Sequence, residues 1–254
     1  MIYYIYDGSF EGMLTAVYES YIRHECPEKI LKGDCLQDNL FVEYVFIDTD
    51  EQKAKTLYDA VKKKISPGAV KCILYAYLSE DKEAGTAVYQ YLKLGWKMGK
   101  QVDSAIAHPW VFQIHTLYNK VRGEAGRMLG LIRFNLLRNG IYYASIEPDH
   151  NILSIIAHHF KQRMPRQDWI IHDVKRDLAA VCHDHQCIII PFEFDGPLPL
   201  DQQEIDYQSL WKEYFKDIAI KSRINPKLQR QNMPLRYWKH LVEKPGAAKY
   251  FYPK

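Results

Sequence analysis

Residues 117–176, LYNKVRGEAGRMLGLIRFNLLRNGIYYASIEPDHNILSIIAHHFKQRMPRQDWIIHDVKR, carry the densest run of structural signals in the chain. Apolar residues recur at helical spacing, then alternate, and the two patterns repeat once, so the stretch predicts helix, hairpin, helix, hairpin. It is also basic, because residues 108–176 hold ten Lys or Arg against five acids, roughly +5 with neutral histidines. We expect the second half of the fold to be built around this stretch.

The first hairpin is marked by its turn. Asn139-Gly140 predicts a two-residue type I′ turn, because both central residues of that turn need a positive φ. The turn would pair Arg138 with Ile141 and so fix the register of the two strands. The face that carries Arg133 is then the partly exposed one, and the more apolar face, against the core, carries Ile132, Phe134, Ile141 and Tyr143.

The chain before this stretch alternates between strands and helices. Residues 2–6 predict a strand, and Ser9 predicts the cap of the helix that follows. Residues 41–47 predict a second strand, after which Asp48 and Glu51 have the spacing of a capping box. Three further helices follow, and the last of them begins at His108-Pro109.

These elements predict an α+β fold in three parts. Residues 1–107 form a helix-rich part with a small sheet. Residues 108–200 form a ββαββ-type layer of helix on antiparallel sheet. Residues 201–254 form a helical, basic C-terminal segment, which we expect to pack as one unit with residues 108–200.

Composition narrows the class of protein. No stretch of the 254 residues is apolar enough to cross a bilayer, and the first residues lack the pattern of a signal peptide, so we expect a cytoplasmic protein. The odd number of cysteines, five, favours reduced thiols over a disulfide framework. The sequence CHDHQC at residues 182–187 could offer zinc ligands, but a hairpin tip explains it equally well, and we predict neither a metal nor a cofactor.

The charge of the chain is unevenly distributed. Residues 1–107 hold thirteen bases against sixteen acids, which favours a scaffolding or partner-facing role. From residue 220 onward nine Lys or Arg face the single acid Glu243, roughly +8. Cations interleaved with aromatic rings, here Tyr237, Trp238, Tyr250 and Phe251, suit a phosphate backbone and unstacked bases. A basic tail folded over the acidic N-terminal half explains the same charge.

One cluster of charges on the predicted helix from residue 108 allows two interpretations. Lys120, Glu124 and Arg127 fall on one edge of the helix, where they could form a solvated salt-bridge ladder or a functional cluster. Gly123 and Gly126 weaken a purely structural helix by about 1 kcal/mol each relative to Ala. Such glycines would allow a backbone or a ligand to approach closely.

Six ordered motifs carry a resemblance that spans essentially the whole chain. They are YDGSFEG at 6–12, KVRGEAGRMLGLIRF at 120–134, YASIEPDHNIL at 143–153, HHFKQR at 158–163, WIIHDVKR at 169–176 and NPKLQRQNMPLRYW at 225–238. Together they resemble a bacterial family labelled as DNA metabolism or DNA repair proteins. The chain departs from the family pattern at Gly126, where a His is usual.

The resemblance implies work on DNA without assigning a reaction. Members of that family are typically encoded beside a DNA repair protein of the radical S-adenosylmethionine class, and a similar domain is fused to uracil-DNA glycosylase-like domains. The resemblance therefore implies a radical S-adenosylmethionine enzyme as partner. It supplies no catalytic residue.

We therefore predict a DNA-binding accessory protein in DNA repair or modification. Trp238 is the candidate for base stacking, and the candidates for phosphate contact are Lys120, Arg122, Arg127, Arg133, Arg163, Lys175, Arg176, Arg223 and Arg236.

Two alternatives remain open at the level of sequence. The chain could be a nucleotide- or DNA-processing enzyme in which Glu124, Asp149 or Asp173 acts as acid, base or magnesium ligand. Against this, the sequence contains no Walker loop, no GxGxxG after a strand and no CxxxCxxC. It could also be a protein-interaction module whose basic tail meets an acidic partner.

Overall fold

Helices and two sheets make up the described residues 1–35, 39–194 and 196–244 of the computed structural model, which confirms the α+β class. The chain divides into two compact units, Met1–Arg122 and Gly123–Lys254. The boundary lies inside one long helix rather than at residue 107, and residues 201–244 belong to the same unit as residues 123–194 and 196–200. The predicted aromatic residues Tyr250 and Phe251 lie outside the described residues.

The first unit contains a parallel three-stranded sheet. Its strands are β1 (Ile2–Tyr6), β2 (Lys29–Lys32) and β3 (Glu43–Phe46), in the order β2-β1-β3. The first and last were predicted, and β2 was not. Helix α1 (Phe10–Ile22) connects β1 to β2, and parallel neighbours need such a crossover.

Three helices of this unit begin at a polar side-chain cap, which is Ser9, Asp50 or Ser66. Ser9 accepts a hydrogen bond from the Gly12 backbone at the start of α1, as predicted. The predicted capping box at Asp48 and Glu51 is wrong, because the side chain of Asp50 accepts from two backbone N–H groups at 2.9 and 3.1 Å. The helices that follow are α2 (Glu51–Lys64), α3 (Pro67–Leu78), α4 (Ala84–Met98) and α5 (Pro109–Leu131), the last crossing the unit boundary.

The second unit contains a five-stranded sheet in the order of the chain. Its strands are β4 (Asn135–Leu136), β5 (Tyr142–Ile146), β6 (Trp169–Asp173), β7 (Leu178–His183) and β8 (Gln186–Pro191). Three of the four strand pairs are antiparallel, as predicted. The pair β5 and β6 is parallel, because helix α6 (Leu153–Arg163) returns the chain to the same end of the sheet.

The predicted register of the first hairpin is wrong by one residue. Asn135 pairs with Tyr143, and the Leu137 backbone N–H donates to Ile141, so the loop holds three residues instead of two. Of these, Gly140 has φ +83° and donates to the Leu137 carbonyl. A turn followed by a left-handed glycine is the usual three-residue solution. The shift places Asn135 inside the protein.

The tip of the β7–β8 hairpin carries a disulfide. Cys182 and Cys187 are opposite each other across the strands and are bonded, so the expectation of reduced thiols is wrong for this pair. The two residues between His183 and Gln186 have φ of 45° and 62°, which gives this hairpin the two-residue loop that was predicted for the other one.

Helices and a short 3₁₀ segment pack on the second sheet. Helix α6 contacts β6, β7 and β8, and its Phe160 lies against the fully buried Trp169. Helices α7 (Gln202–Asp217) and α8 (Pro226–Asn232) follow, and the 3₁₀ segment Leu235–His240 contacts β5. Among the described residues, the apolar stretches of the helices are too short to span a bilayer.

Candidate functional site

A buried carboxylate, Glu124, joins two distant segments of the second unit. Its side chain accepts hydrogen bonds from the backbone N–H groups of Asp149 and His150, at 2.8 and 2.9 Å, and from the Tyr237 hydroxyl. Burial acts to raise the pKa of Glu124, but these hydrogen bonds outweigh it and hold the pKa below its usual value. Glu124 is therefore a buried anion that fixes the loop after β5.

A buried ion pair, formed by Asp173 and Arg176, also holds the loop after β5. Asp173 is fully buried and its carboxylate lies 2.8 Å from the Arg176 guanidinium. The same guanidinium donates to the backbone carbonyls of Pro148 and Asp149, at 3.2 and 2.9 Å. Lys175 also donates to the Asp149 carbonyl, at 3.2 Å. The hydrogen bonds of Glu124 and the ion pair of Asp173 with Arg176 therefore bring the segments around residues 124, 149, 173 and 237 into one cluster.

Only the outer edge of this cluster reaches solvent. Arg236 lies 2.6 Å from the Asp149 carboxylate, and about half of each side chain is exposed. The same guanidinium is 3.8 Å from Glu124 and 4.7 Å from the centre of the Tyr237 ring. Arg236 thus lies over the buried carboxylate of Glu124, and the Arg236 side chain itself remains partly exposed to solvent.

This arrangement leaves little for acid–base chemistry. Glu124 and Asp173 are buried and hold their hydrogen-bond partners, so neither faces a space where a substrate could react. Asp149 is exposed but paired with Arg236. Within the described ranges, no group of three or more His, Cys, Asp or Glu could hold a metal ion. Of the predicted acid–base candidates, Glu124 and Asp173 therefore have structural partners, and Asp149 lies at the solvent-exposed edge of the cluster.

The cations that were predicted to contact phosphate differ in how far they are exposed and paired. Arg133 and Arg176 are held by internal carboxylates, and Arg236 is shared between Asp149 and solvent. The side chains that are exposed on the second unit are Arg127, Arg163, Lys175 and Arg223. Lys120 and Arg122 are exposed on the part of α5 that belongs to the first unit.

The basic C-terminal segment has exposed cations at Arg223, Lys227 and Arg230, whereas its Arg236 and Lys239 are paired with Asp149 and Glu147. Between residues 220 and 244 seven Lys or Arg face only Glu243. The Glu243 side chain is 1% exposed and lies 2.7 Å from the Arg133 guanidinium. Burial acts to raise the pKa of Glu243, but the hydrogen bond from Arg133 outweighs it and lowers the pKa. Glu243, the one acid between residues 220 and 244, is therefore paired with Arg133 and does not neutralise the cations of its own segment.

Trp238, the predicted stacking residue, is partly used within the protein. Its indole N–H donates to the Met233 carbonyl at 2.9 Å. The ammonium of Lys244 lies 4.5 Å from the ring centre. A base would have to displace Lys244 to stack on that face, so a second exposed ring has to be considered as well.

A cleft beside α7 offers such a ring. Its volume is about 540 Å³, and it is lined by Gly130, Arg133, Phe134, Glu204, Tyr207, Gln208, Trp211 and Val242. The Trp211 indole N–H donates to Glu243 at 3.1 Å, and Tyr214 stacks on the ring with centroids 5.7 Å apart. The sequence places Trp211 with Tyr214, Phe215 and Ile218 on one side of this helix, and in the structure 39% of Trp211 is exposed.

A buried polar chain links the 3₁₀ segment to β5, and sequence reasoning missed it. The Ser145 hydroxyl is 2.9 Å from His240 Nδ1, and His240 Nε2 is 3.5 Å from Glu147. Burial lowers the pKa of His240 to about 4, so its imidazole is neutral at pH 7. A nearby buried pair, Tyr143 and His172, is joined at 2.7 Å. These residues are widely spaced in sequence, so no local motif signals them.

Comparison with known proteins shows the family of the chain. A model described as a domain of unknown function, DUF4130, matches residues 82–243. No curated protein matches the chain.

Proposed function

We propose that this chain, which belongs to the DUF4130 family of domains of unknown function, is a DNA-binding accessory protein in DNA repair or modification. The exposed cations of the second unit would contact phosphates and give binding with weak sequence preference. The observation that carries the proposal is the burial of Glu243 against Arg133. It leaves the cations between residues 220 and 244 without an acid of their own segment at the surface.

The resemblance described above supports the biological setting of this proposal. Proteins that it resembles are encoded beside a radical S-adenosylmethionine DNA repair enzyme, and we propose an enzyme of that class as partner. The first unit would provide the docking surface, because residues 1–107 are mildly acidic. Charge reversals at Glu80, Asp81 and Glu83 test this surface, and Glu83 is paired with Lys29 at 2.7 Å.

The dependence of DNA affinity on salt tests the phosphate contacts. Each phosphate that a cation neutralises adds about 0.9 to the slope of log affinity against log salt on duplex DNA. Replacement of Arg223 and Arg230 together by Gln should therefore flatten the slope by up to about two units and weaken all sequences alike. The matched control replaces Lys62 and Lys63, two exposed cations of the first unit, by Gln.

The control separates a defined DNA surface from a general effect of net charge. An unchanged slope in the control, with a flattened slope in the double variant, supports the proposal. Equal flattening in both variants would show that the contact is not located on the C-terminal segment. A folded protein that binds neither single- nor double-stranded DNA at low salt would contradict the proposal and favour a protein-interaction module.

A further inference from the structure

We infer that the cleft beside α7 is a binding site for one unstacked nucleobase, held against the ring of Trp211. The inference rests on the proposed function and deepens it. Phosphate contacts alone do not distinguish a single strand from a duplex, whereas a site for a free base selects DNA whose bases are unpaired or can be turned out of the stack.

The Trp211 ring is fixed before any ligand arrives. Its N–H is bound to Glu243, and the Arg133 guanidinium lies 5.8 Å from the ring centre, while Tyr214 stacks on it. Glu243 is itself held by Arg133 at 2.7 Å. An aromatic wall that is already ordered loses little entropy on binding, which favours stacking.

The charges of the cleft select an uncharged ring over a phosphate. The one cation that lines it, Arg133, is neutralised by Glu243. Glu204, the carboxylate in the lining, accepts from the Leu136 backbone and from Gln208 at 3.0 and 2.9 Å. A phosphate would therefore meet a net negative lining, whereas a base is neutral and presents N–H groups to such a carboxylate.

A glycine keeps the mouth of the cleft open. Gly130 lines the cleft in the last turn of α5, and a Cβ added there would meet no atom within 4 Å. Glycine inside a helix costs about 1 kcal/mol relative to Ala, and no contact within the protein requires it here. The volume of about 540 Å³ lies in the range of small-ligand sites, roughly 300–1,000 Å³.

The experiment compares a single-stranded oligonucleotide with an abasic strand of equal length, using the full chain and Trp211→Ala. The wild type should bind the abasic strand about 5- to 150-fold more weakly, the factor that one stacked base contributes. Trp211→Ala should lose the same factor on the normal strand and almost nothing further on the abasic strand. Trp211→Phe keeps a ring without the bond to Glu243 and should retain most of the discrimination.

A pair of glycine variants tests the cleft without touching the stacking residue. Gly130→Leu fills the mouth and should abolish the preference for the normal strand. Gly126→Leu, on the same helix but outside the cleft and also without an atom within 4 Å of its added Cβ, should preserve it. Circular dichroism shows whether each variant is folded.

The outcomes separate this site from the phosphate contacts. Equal affinity of the wild type for normal and abasic strands, with a normal salt slope, would overturn the base site and leave DNA binding in place. Loss of discrimination in both glycine variants would overturn the cleft as its location. Absence of binding to any strand would overturn the proposed function and the base site with it.

Discussion

Glu124→Gln is the substitution for which the structure predicts the largest loss of stability at neutral pH. The carboxylate is 1% exposed and accepts from two backbone N–H groups and the Tyr237 hydroxyl. A Gln amide would turn one acceptor into a donor that faces another donor. Loss of a hydrogen bond to a charged group costs about 1.5–3 kcal/mol and a buried donor left unsatisfied about 1–3 kcal/mol, so we expect a decrease of about 3–5 kcal/mol in the free energy of unfolding.

Two further variants calibrate this number in urea unfolding. Tyr237→Phe removes one of the hydrogen bonds to the anion and should cost about 1.5–3 kcal/mol. Glu213→Gln, at an exposed position of the same unit, is the matched control and should change stability by less than about 0.5 kcal/mol. The loss of stability should decrease in the order Glu124→Gln, Tyr237→Phe, Glu213→Gln, because burial and the number of hydrogen bonds lost decrease in that order.

The pH dependence gives an independent check on the sign. Because the pKa of Glu124 is lower in the folded state, its stabilisation is fully present above the unfolded-state value, about 4.3, and is lost as pH falls through the folded pKa. The difference between wild type and Glu124→Gln should therefore be largest at neutral pH and shrink in acid. A difference below about 1 kcal/mol at pH 7, or one that does not shrink, would refute a buried anion at this position.

Three other predictions follow from single contacts. In thermal unfolding, Gly126→Ala should stabilise the protein by about 0.5–1 kcal/mol, whereas Gly85→Ala should destabilise it because the added Cβ would lie 2.6 Å from a backbone carbonyl. Intact-mass analysis after thiol labelling should show Cys182 and Cys187 protected until a reductant is added, and labelling without reduction would contradict the disulfide. The pKa of His240 is lowered to about 4 in the folded protein, so the free energy of unfolding should decrease as the pH is lowered from about 6.5 to 4. His240→Gln should remove this decrease from the curve of stability against pH.

The sequence was informative where one local pattern decides the structure. Ser9 caps α1 as predicted, because a short side chain satisfies a backbone donor within one turn of itself. The Asn139-Gly140 turn was also found, but its register was not. The dipeptide suits a two-residue or a three-residue loop, and neither face of the hairpin was purely polar. Burial of Asn135, which donates to the Tyr143 carbonyl and accepts from Gln208, decided between them.

The candidate site was predictable only in part, because its bonds join residues far apart in the chain. The spacing of Lys120, Glu124 and Arg127 indicated a ladder along one helix. Glu124 instead binds the backbone after β5 and the hydroxyl of Tyr237, and no periodicity links those positions. Likewise, the stripe on α7 showed which side chains share a face, but not whether another element covers that face.

A count of charges along a segment therefore overestimates the positive charge at some surfaces and underestimates it at others. The central stretch is basic by composition, yet its Arg133 and Arg176 are neutralised by Glu243 and Asp173 inside the protein. The pairing with Arg133 also removes Glu243 from the C-terminal segment, whose surface is more basic than its composition suggests. One ion pair thus contributes to both features on which DNA binding is proposed, because it keeps Glu243 away from the cations that follow residue 220 and fixes Trp211 at the wall of the cleft.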